Sequence, residues 1–358
     1  MATQDPHSAR QPSSSDVERA EQCDAAGAHS DAINHLAAGA RKHDVEAMTR
    51  LGKRLLVGDR APCLPKDGAG LIADASAQGG AEAAAVLAVL YAVGASERHN
   101  LDAALESLIV AAERGSQNAQ AQLRLLVGGP SCTDATGESE ARDWRVLGRR
   151  VDLAAWRTVP AATDLSASPL IRSYPEFVGE PVCRWLIDRA RGRLSRALVY
   201  EALSKEVTVR PTRTNTAAIF SLLDTDLIFV LSQLRMAACL GISLRQFEAA
   251  TVLHYDEGEE ITAHFDFVDP NIPDYDQELA KRGDRIVTFL MYLNDDYEGG
   301  ETTFPRLGIE HKGRRGEGLF FVNALDGKAD ERTLHEGRAP VRGEKWIVSQ
   351  FVRNRPVL

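Results

Sequence analysis

Residues 249–270 read AATVLHYDEGEEITAHFDFVDP. Two β-type runs, Ala250 to Tyr255 and Ile261 to Val268, flank the turn signal DEG. Each run carries a His-x-Asp triplet, His254–Asp256 and His264–Asp266. A third triplet, His29–Asp31, lies in an Ala-rich helical region. On a helix, residues i and i+2 point to different sides and cannot share a metal. On a strand they share a face and can chelate. His264–Asp266 sits inside ITAHFDFV, whose other face carries Ala263, Phe265 and Phe267. His254–Asp256 runs out into DEGEE, where Asp256 is expected to be solvated, and it brackets Tyr255. If Tyr255 faces inward, His254 and Asp256 face away. His264 and Asp266 are therefore the expected chelating pair.

A third ligand has to come from elsewhere. The downstream histidines are His311, in the charged turn EHKGRRG, and His335, in TLHEGRAPVRGEKW ahead of the last strand. His311 reads as an exposed turn residue, which leaves His335. Two histidines and one carboxylate on one face of a metal, with open positions opposite, suit non-haem Fe(II). Lys345 opens the strand KWIVSQF and shares a face with Ile347, Ser349 and Phe351. An unpaired ammonium beginning a buried strand is costly, and an anionic ligand in the barrel would offset that cost.

Further runs, Arg285 to Leu293, Leu319 to Val322 and Lys345 to Val352, are separated by the turn signals YEGG and DG. Pro181 opens a helix before them, and Asp226 caps a second one that stops at Gly241. Helices followed by many short strands predict a β-sandwich or jelly roll with helical support.

Upstream, residues 21–126 are Ala-rich and repeat every 36 residues. Ala47, Ala83 and Ala119 keep that spacing, as do Leu51, Leu87 and Leu123, and Leu36, Ile72 and Leu108. Gly79 pairs with Gly115, and His43 stands where the first glycine belongs. Ala61 to Asp67 reads as a Pro-containing insertion in the first repeat. Such a period predicts helix pairs stacked in a solenoid, which either presents a partner-binding face or packs against the C-terminal part or a second copy of the chain. Residues 1–20 are polar and rich in Ser, Gln and Pro, and read as a disordered leader. Residues 127–167 read as a linker with a short helical stretch near Trp144 to Trp156. The fold class expected is α+β, an N-terminal α-solenoid followed by a double-stranded β-helix.

The chain has 358 residues, 44% hydrophobic and 26% charged, room for two globular domains. A net charge of −9 supplies no cationic field for nucleic acid or acidic membranes. Arg184, Arg189, Arg191, Arg193 and Arg196 cluster at helical spacing and read as a solvated helix face. Five scattered cysteines form no CxxC pair, which speaks for a reducing compartment. With no apolar run long enough to span a bilayer and no signal-like apolar core, a cytoplasmic location is expected.

The phrases AEAAAVLAVLYAVG at 81–94 and ALESLIVAAERGSQNAQAQLRLL at 104–126 resemble Sel1-like repeats, relatives of the tetratricopeptide repeat. Residues 168–358 resemble the prolyl 4-hydroxylase family of Fe(II)/2-oxoglutarate dioxygenases. The likeness is carried by RTNTAAIF (213–220), HYDEGEEITAHFDF (254–267), RIVTFLMYLNDDYEGGETTFP (285–305), GLFFVNALDG (318–327) and LHEGRAPVRGEKWIVSQFVR (334–353). It implies His264, Asp266 and His335 as iron ligands and Lys345 as partner of the distal 2-oxoglutarate carboxylate. It implies Tyr255 and Thr302 as further cosubstrate contacts and Arg285 as a peptide contact. It further implies O₂ as cosubstrate, ascorbate as reductant, and hydroxylation of a peptidyl proline with release of succinate and CO₂. A free amino acid or small metabolite is the alternative substrate, and a binding protein with a sensing barrel is the alternative function. A protein substrate docked on the repeats would unite the two halves. Asp266 fills the carboxylate position, so halogenation is not expected.

Overall fold

The computed structural model describes residues 15–94, 99–132, 143–197, 199–201, 206–208, 212–268, 275–325 and 327–357. Its first part is a run of helices packed on their chain neighbours: α1 (Asp16–Ala25), α2 (His29–Arg41), α3 (Val45–Val57), α4 (Pro65–Ala77), α5 (Ala81–Val93), α6 (Leu101–Glu113) and α7 (Gln117–Gly128). The 36-residue period is structural. Ala47, Ala83 and Ala119 are fully buried, and small side chains there let neighbouring helices approach. His43 (φ 61°), Gly79 (φ 103°) and Gly115 (φ 89°) all take the left-handed conformation that ends a helix, so the histidine occupies a glycine's position.

Two expectations shift at the edges. Ser15 and Glu18 form a capping box that starts α1 at Asp16, inside the stretch 1–20 expected as leader. Residues 1–14 lie outside the described residues. Pro65 sits in the first turn of α4, so the insertion Ala61 to Asp67 ends as a helix start.

The short helix α8 (Trp144–Gly148) and a 3₁₀ turn (Ala155–Arg157) follow. The strand Thr163–Ala167 then pairs antiparallel with Leu170–Tyr174, so the major sheet begins inside the stretch expected as linker. Helices α9 (Glu180–Arg191) and α10 (Leu227–Leu240) support the sheet, with α11 (Tyr275–Arg282) at its end. As the sequence predicts, Pro181 lies in the first turn of α9, the Asp226 side chain caps α10, and Gly241 closes it with φ 65°.

Among the described residues the major sheet has eight strands. Their order is Thr163–Ala167, Leu170–Tyr174, Gly318–Val322, Arg285–Tyr292, Lys345–Arg353, Ala250–Tyr255, Thr216–Phe220, Ser195–Arg196. A four-stranded sheet faces it, in the order Ile309–His311, Thr302–Phe304, His335–Gly337, Ile261–His264. Strand alternation sorts the side chains. Leu253, Tyr255, Leu290, Tyr292, Phe321 and Ile347 point between the sheets. Val252, Phe289, Met291, Trp346 and Val348 point outward onto the helices.

That outer core runs without a break into the repeats, taking in Ala88, Ala92, Leu108, Ala119 and Leu123. The buried Gln122 side chain accepts a hydrogen bond from the Leu227 N–H at 2.9 Å, capping α10 from the repeat side. The arginine cluster is largely solvent-exposed, as expected, with Arg189 half-buried, and it also makes ion pairs. Arg189 and Arg193 pair with Asp226 and Asp224, Arg191 with Glu344, and Arg196 with Glu259, tying α9 and its flank to the sheet. Among the described residues, no helix is long and apolar enough to cross a membrane.

Candidate metal centre

The strands Ile261–His264 and His335–Gly337 are neighbours in the minor sheet, and His264 stands directly opposite His335. Their rings lie 4.3 Å apart. The strand ends at His264 rather than running on to Val268, and Asp266 follows two residues after it. The turn there still brings the carboxylate to the histidines. Asp266 Oδ1 is 3.4 Å from His264 Nε2, and Oδ2 is 3.4 Å from His335 Nε2. One ligand atom from each residue lies within 4.8 Å of the others.

Each imidazole is held by its other nitrogen. His264 Nδ1 is 2.9 Å from the Thr262 carbonyl, and His335 Nδ1 is 3.0 Å from the Thr333 carbonyl. A carbonyl can only accept, so both Nδ1 atoms carry the proton and both Nε2 lone pairs face Asp266. Burial pushes the His335 ring down to about 4, keeping it neutral. Burial alone would raise the Asp266 carboxyl, but His335, His264 and the Thr288 hydroxyl outweigh it and hold the carboxyl well below its usual range. Two neutral imidazoles and one ionised carboxylate on one side of a cavity are the donor set of a facial triad, and they fit Fe(II).

The triad lines a cavity of about 470 Å³ together with Tyr255, Thr302, Arg285 and Lys345. Lys345 is 1% exposed and donates to the Gly300 carbonyl at 2.6 Å. No carboxylate among the described residues lies within ion-pair distance of it, and burial lowers its amine to about 8. An unpaired buried ammonium in a cavity is a site for an anionic ligand. Tyr255 is buried, which pushes its phenol up to about 12, so it stays a donor. Thr302 accepts from the Tyr292 hydroxyl at 2.9 Å, which leaves its own proton for the cavity.

Arg285 lines the cavity but is already engaged. Its guanidinium pairs with both Glu248 oxygens, at 2.8 and 3.0 Å, and lies 3.9 Å over the Phe351 ring. Phe265, expected on the opposite face, lines the cavity as well, because the strand has ended before it.

The competing triplet faces outward, as an inward Tyr255 requires. His254 joins Asp256 and Glu344 in a second group of possible ligands, although Asp256 is 69% exposed. Both His254 nitrogens are used within the protein, Nδ1 with Thr216 at 3.0 Å and Nε2 with Glu344 at 2.9 Å. His311 is not the exposed turn residue expected. It is 14% exposed and pairs with Glu317 at 3.0 Å.

Sequence reasoning missed Tyr292, Thr288 and Asn323. Thr288 donates to Asp266 Oδ2 at 2.7 Å, and Asn323 donates to Thr288 at 2.8 Å. The available signal was Thr288 itself, a polar residue in the apolar run RIVTFLMY on the face of Leu290 and Tyr292.

The chain is similar to several known proteins. The sequence profile of the 2OG-Fe(II) oxygenase superfamily matches residues 250–353. Probable prolyl 4-hydroxylase 9 of Arabidopsis thaliana is 30% identical over 214 residues, covering 53% of this chain and 71% of that protein. Probable prolyl 4-hydroxylase 7 of the same plant is 28% identical over 238 residues, covering 61% and 73%. The crystal structure of a Sel1 repeat protein from Oxalobacter formigenes is 26% identical and covers 26% of this chain and 70% of that one, with a TM-score of 0.25.

Proposed function

This chain belongs to the prolyl 4-hydroxylase family of 2OG-Fe(II) oxygenases, and from that premise we propose that it hydroxylates a prolyl residue in a peptide or protein. The observation that carries this reading is the triad His264, Asp266 and His335 sharing one cavity with the unpaired, buried Lys345. The stoichiometry is one prolyl substrate, one 2-oxoglutarate and one O₂ going to hydroxyproline, succinate and CO₂.

The two Nε2 atoms and the Asp266 carboxylate would hold Fe(II) from one side. The metal, when bound, supplies O₂ activation and the oxidising power to break an unactivated C–H bond. The chain supplies placement. Lys345 takes the distal carboxylate of 2-oxoglutarate in a charge-assisted hydrogen bond. Tyr255 and Thr302 donate to the cosubstrate, and Tyr292 keeps the Thr302 hydroxyl turned toward it. Leu253, Leu290 and Ile347 exclude water from the pocket walls. Ascorbate belongs to the same reading, as the reductant that restores iron oxidised without substrate turnover. So does a cytoplasmic setting, supported by five cysteines that form no disulfide.

The test is succinate formation dependent on Fe(II) and 2-oxoglutarate, with His264→Ala and His335→Ala as controls. Both variants should be inactive, and undiminished turnover in either would overturn the assignment. Substrate class is read from +16 mass shifts. Shifts in proline-containing peptide pools support the proposal, and shifts confined to free amino acids or metabolites reject its substrate half.

A further inference from the structure

Thr288 is 1% exposed and lies on the inner face of the Arg285–Tyr292 strand, behind the triad. Its hydroxyl sits between two groups, Asp266 Oδ2 at 2.7 Å and Asn323 Nδ2 at 2.8 Å. The amide can only donate there, so the one hydroxyl proton of Thr288 must go to Asp266. Asn323 is itself pinned. It is fully buried, its N–H donates to the Ile286 carbonyl at 2.8 Å, and its carbonyl accepts from Asp330 at 2.8 Å. Its Oδ1 is buried with no hydrogen-bond partner among the described residues. The opposite amide orientation would place Oδ1 against the threonine and let the hydroxyl turn away from Asp266.

We propose that Asn323 and Thr288 form a positioning relay that anchors Asp266 Oδ2 and makes the carboxylate a one-oxygen ligand through Oδ1. A carboxylate free to rotate can chelate through both oxygens and occupy a coordination position that the cosubstrate or O₂ needs. Each carboxylate oxygen lies 3.4 Å from one histidine Nε2, so it is the Thr288 hydroxyl on Oδ2 that distinguishes them and leaves Oδ1 to the metal. Thr288 and Asn323 are positioning residues, since neither lines the cavity. The inference rests on the reading of His264, Asp266 and His335 as a divalent-metal site.

The experiment loads the full chain anaerobically with Co(II) and records affinity by titration and coordination number from the d–d absorption. Thr288→Val should weaken Co(II) about 10- to 100-fold and change the band. Thr288→Ser, which keeps the hydroxyl, should restore both, and Asn323→Ala should fall between. A valine variant with wild-type affinity and spectrum overturns the relay, as does a serine variant that fails to rescue. Should the valine variant not fold, the other two decide. Wild-type behaviour in serine with weakening in Asn323→Ala supports the relay, and wild-type behaviour in both overturns it. Failure of the wild-type chain to bind Co(II), or full binding by His335→Ala, would instead strike the metal-site reading.

Discussion

Lys345 and Tyr255 face each other across adjacent antiparallel strands, with the ammonium 5.4 Å from the centre of the tyrosine ring. The Tyr292 ring lies 5.8 Å away on another side. Two aromatic faces and one carbonyl are a poor substitute for water around an ammonium, and the residue is poised for an anion. Below pH 8 the amine is charged and attracts the distal carboxylate. As pH rises through about 8 the free protein loses that charge, so 2-oxoglutarate binding should weaken. Calorimetry under anaerobic conditions should show this slope, and Lys345→Met should abolish it while weakening binding about 10- to 100-fold.

The same residue predicts a stability change of opposite sign. Its native pKa of about 8 lies below the ordinary 10.5, so the unfolded chain binds more protons between those values. The ligand-free protein is thus penalised by Lys345 below pH 8 and recovers as pH rises toward 10.5. The cost at neutral pH is on the order of 3 kcal/mol. Lys345→Met should therefore raise the melting temperature of the ligand-free protein at pH 7 while weakening cosubstrate binding. A lowered melting temperature would show that the stem's packing matters more than the charge.

Glu248 gathers Arg285 and Arg353 at the end of the major sheet. Burial opposes ionisation there, but the two guanidinium groups overcome it and bring the carboxyl down to about 2. This is a depressed carboxyl, so its contribution is full above pH 4.5 and is lost as pH falls toward 2. Glu248→Gln should cost about 3–5 kcal/mol in urea unfolding at pH 7 and flatten the acid limb below pH 4.5.

His43 holds a left-handed backbone at an exposed turn. Glycine adopts that conformation without the side-chain clash. His43→Gly should stabilise the protein by about 1 kcal/mol, read from urea unfolding.

The repeats cannot be removed to test substrate docking in isolation, because side chains of α5, α6 and α7 share one apolar core with α10. The truncated chain should lose cooperative thermal unfolding. Gln122→Ala is the milder probe. It leaves the Leu227 N–H without its partner and should cost about 1–3 kcal/mol with the active site intact. A truncated chain with a sharp transition would show that the barrel folds alone.

The parts legible in the sequence were those with local patterns. Strand bounds such as Ala250–Tyr255 follow from apolar runs between turn residues, and the 36-residue period exposes the repeats. His264, Asp266, His335 and Lys345 stand out because polar groups at strand ends need a reason. Thr288 and Asn323 stayed hidden because the contact joins positions 35 residues apart, and each alone passes for a packed polar side chain. The exposure of the arginines in and after α9 was legible, but their ion pairs were not, for the same reason. Their helical spacing is local, while their partners Asp224, Asp226, Glu259 and Glu344 are not. His311 likewise sits in a charged segment, yet Glu317 takes it into the interior.

The bond from Leu227 to Gln122 has an evolutionary corollary. A domain joined only by a tether can be shuffled by recombination, and its host tolerates the exchange. Here a foreign array in place of the helical repeats would uncap α10 and strip its apolar face of the repeat side chains that share its core, such as Ala88, Ala92 and Leu123. The two halves of this chain are therefore expected to diverge in step, and the repeats should be inherited with the barrel as a graft rather than traded as a module.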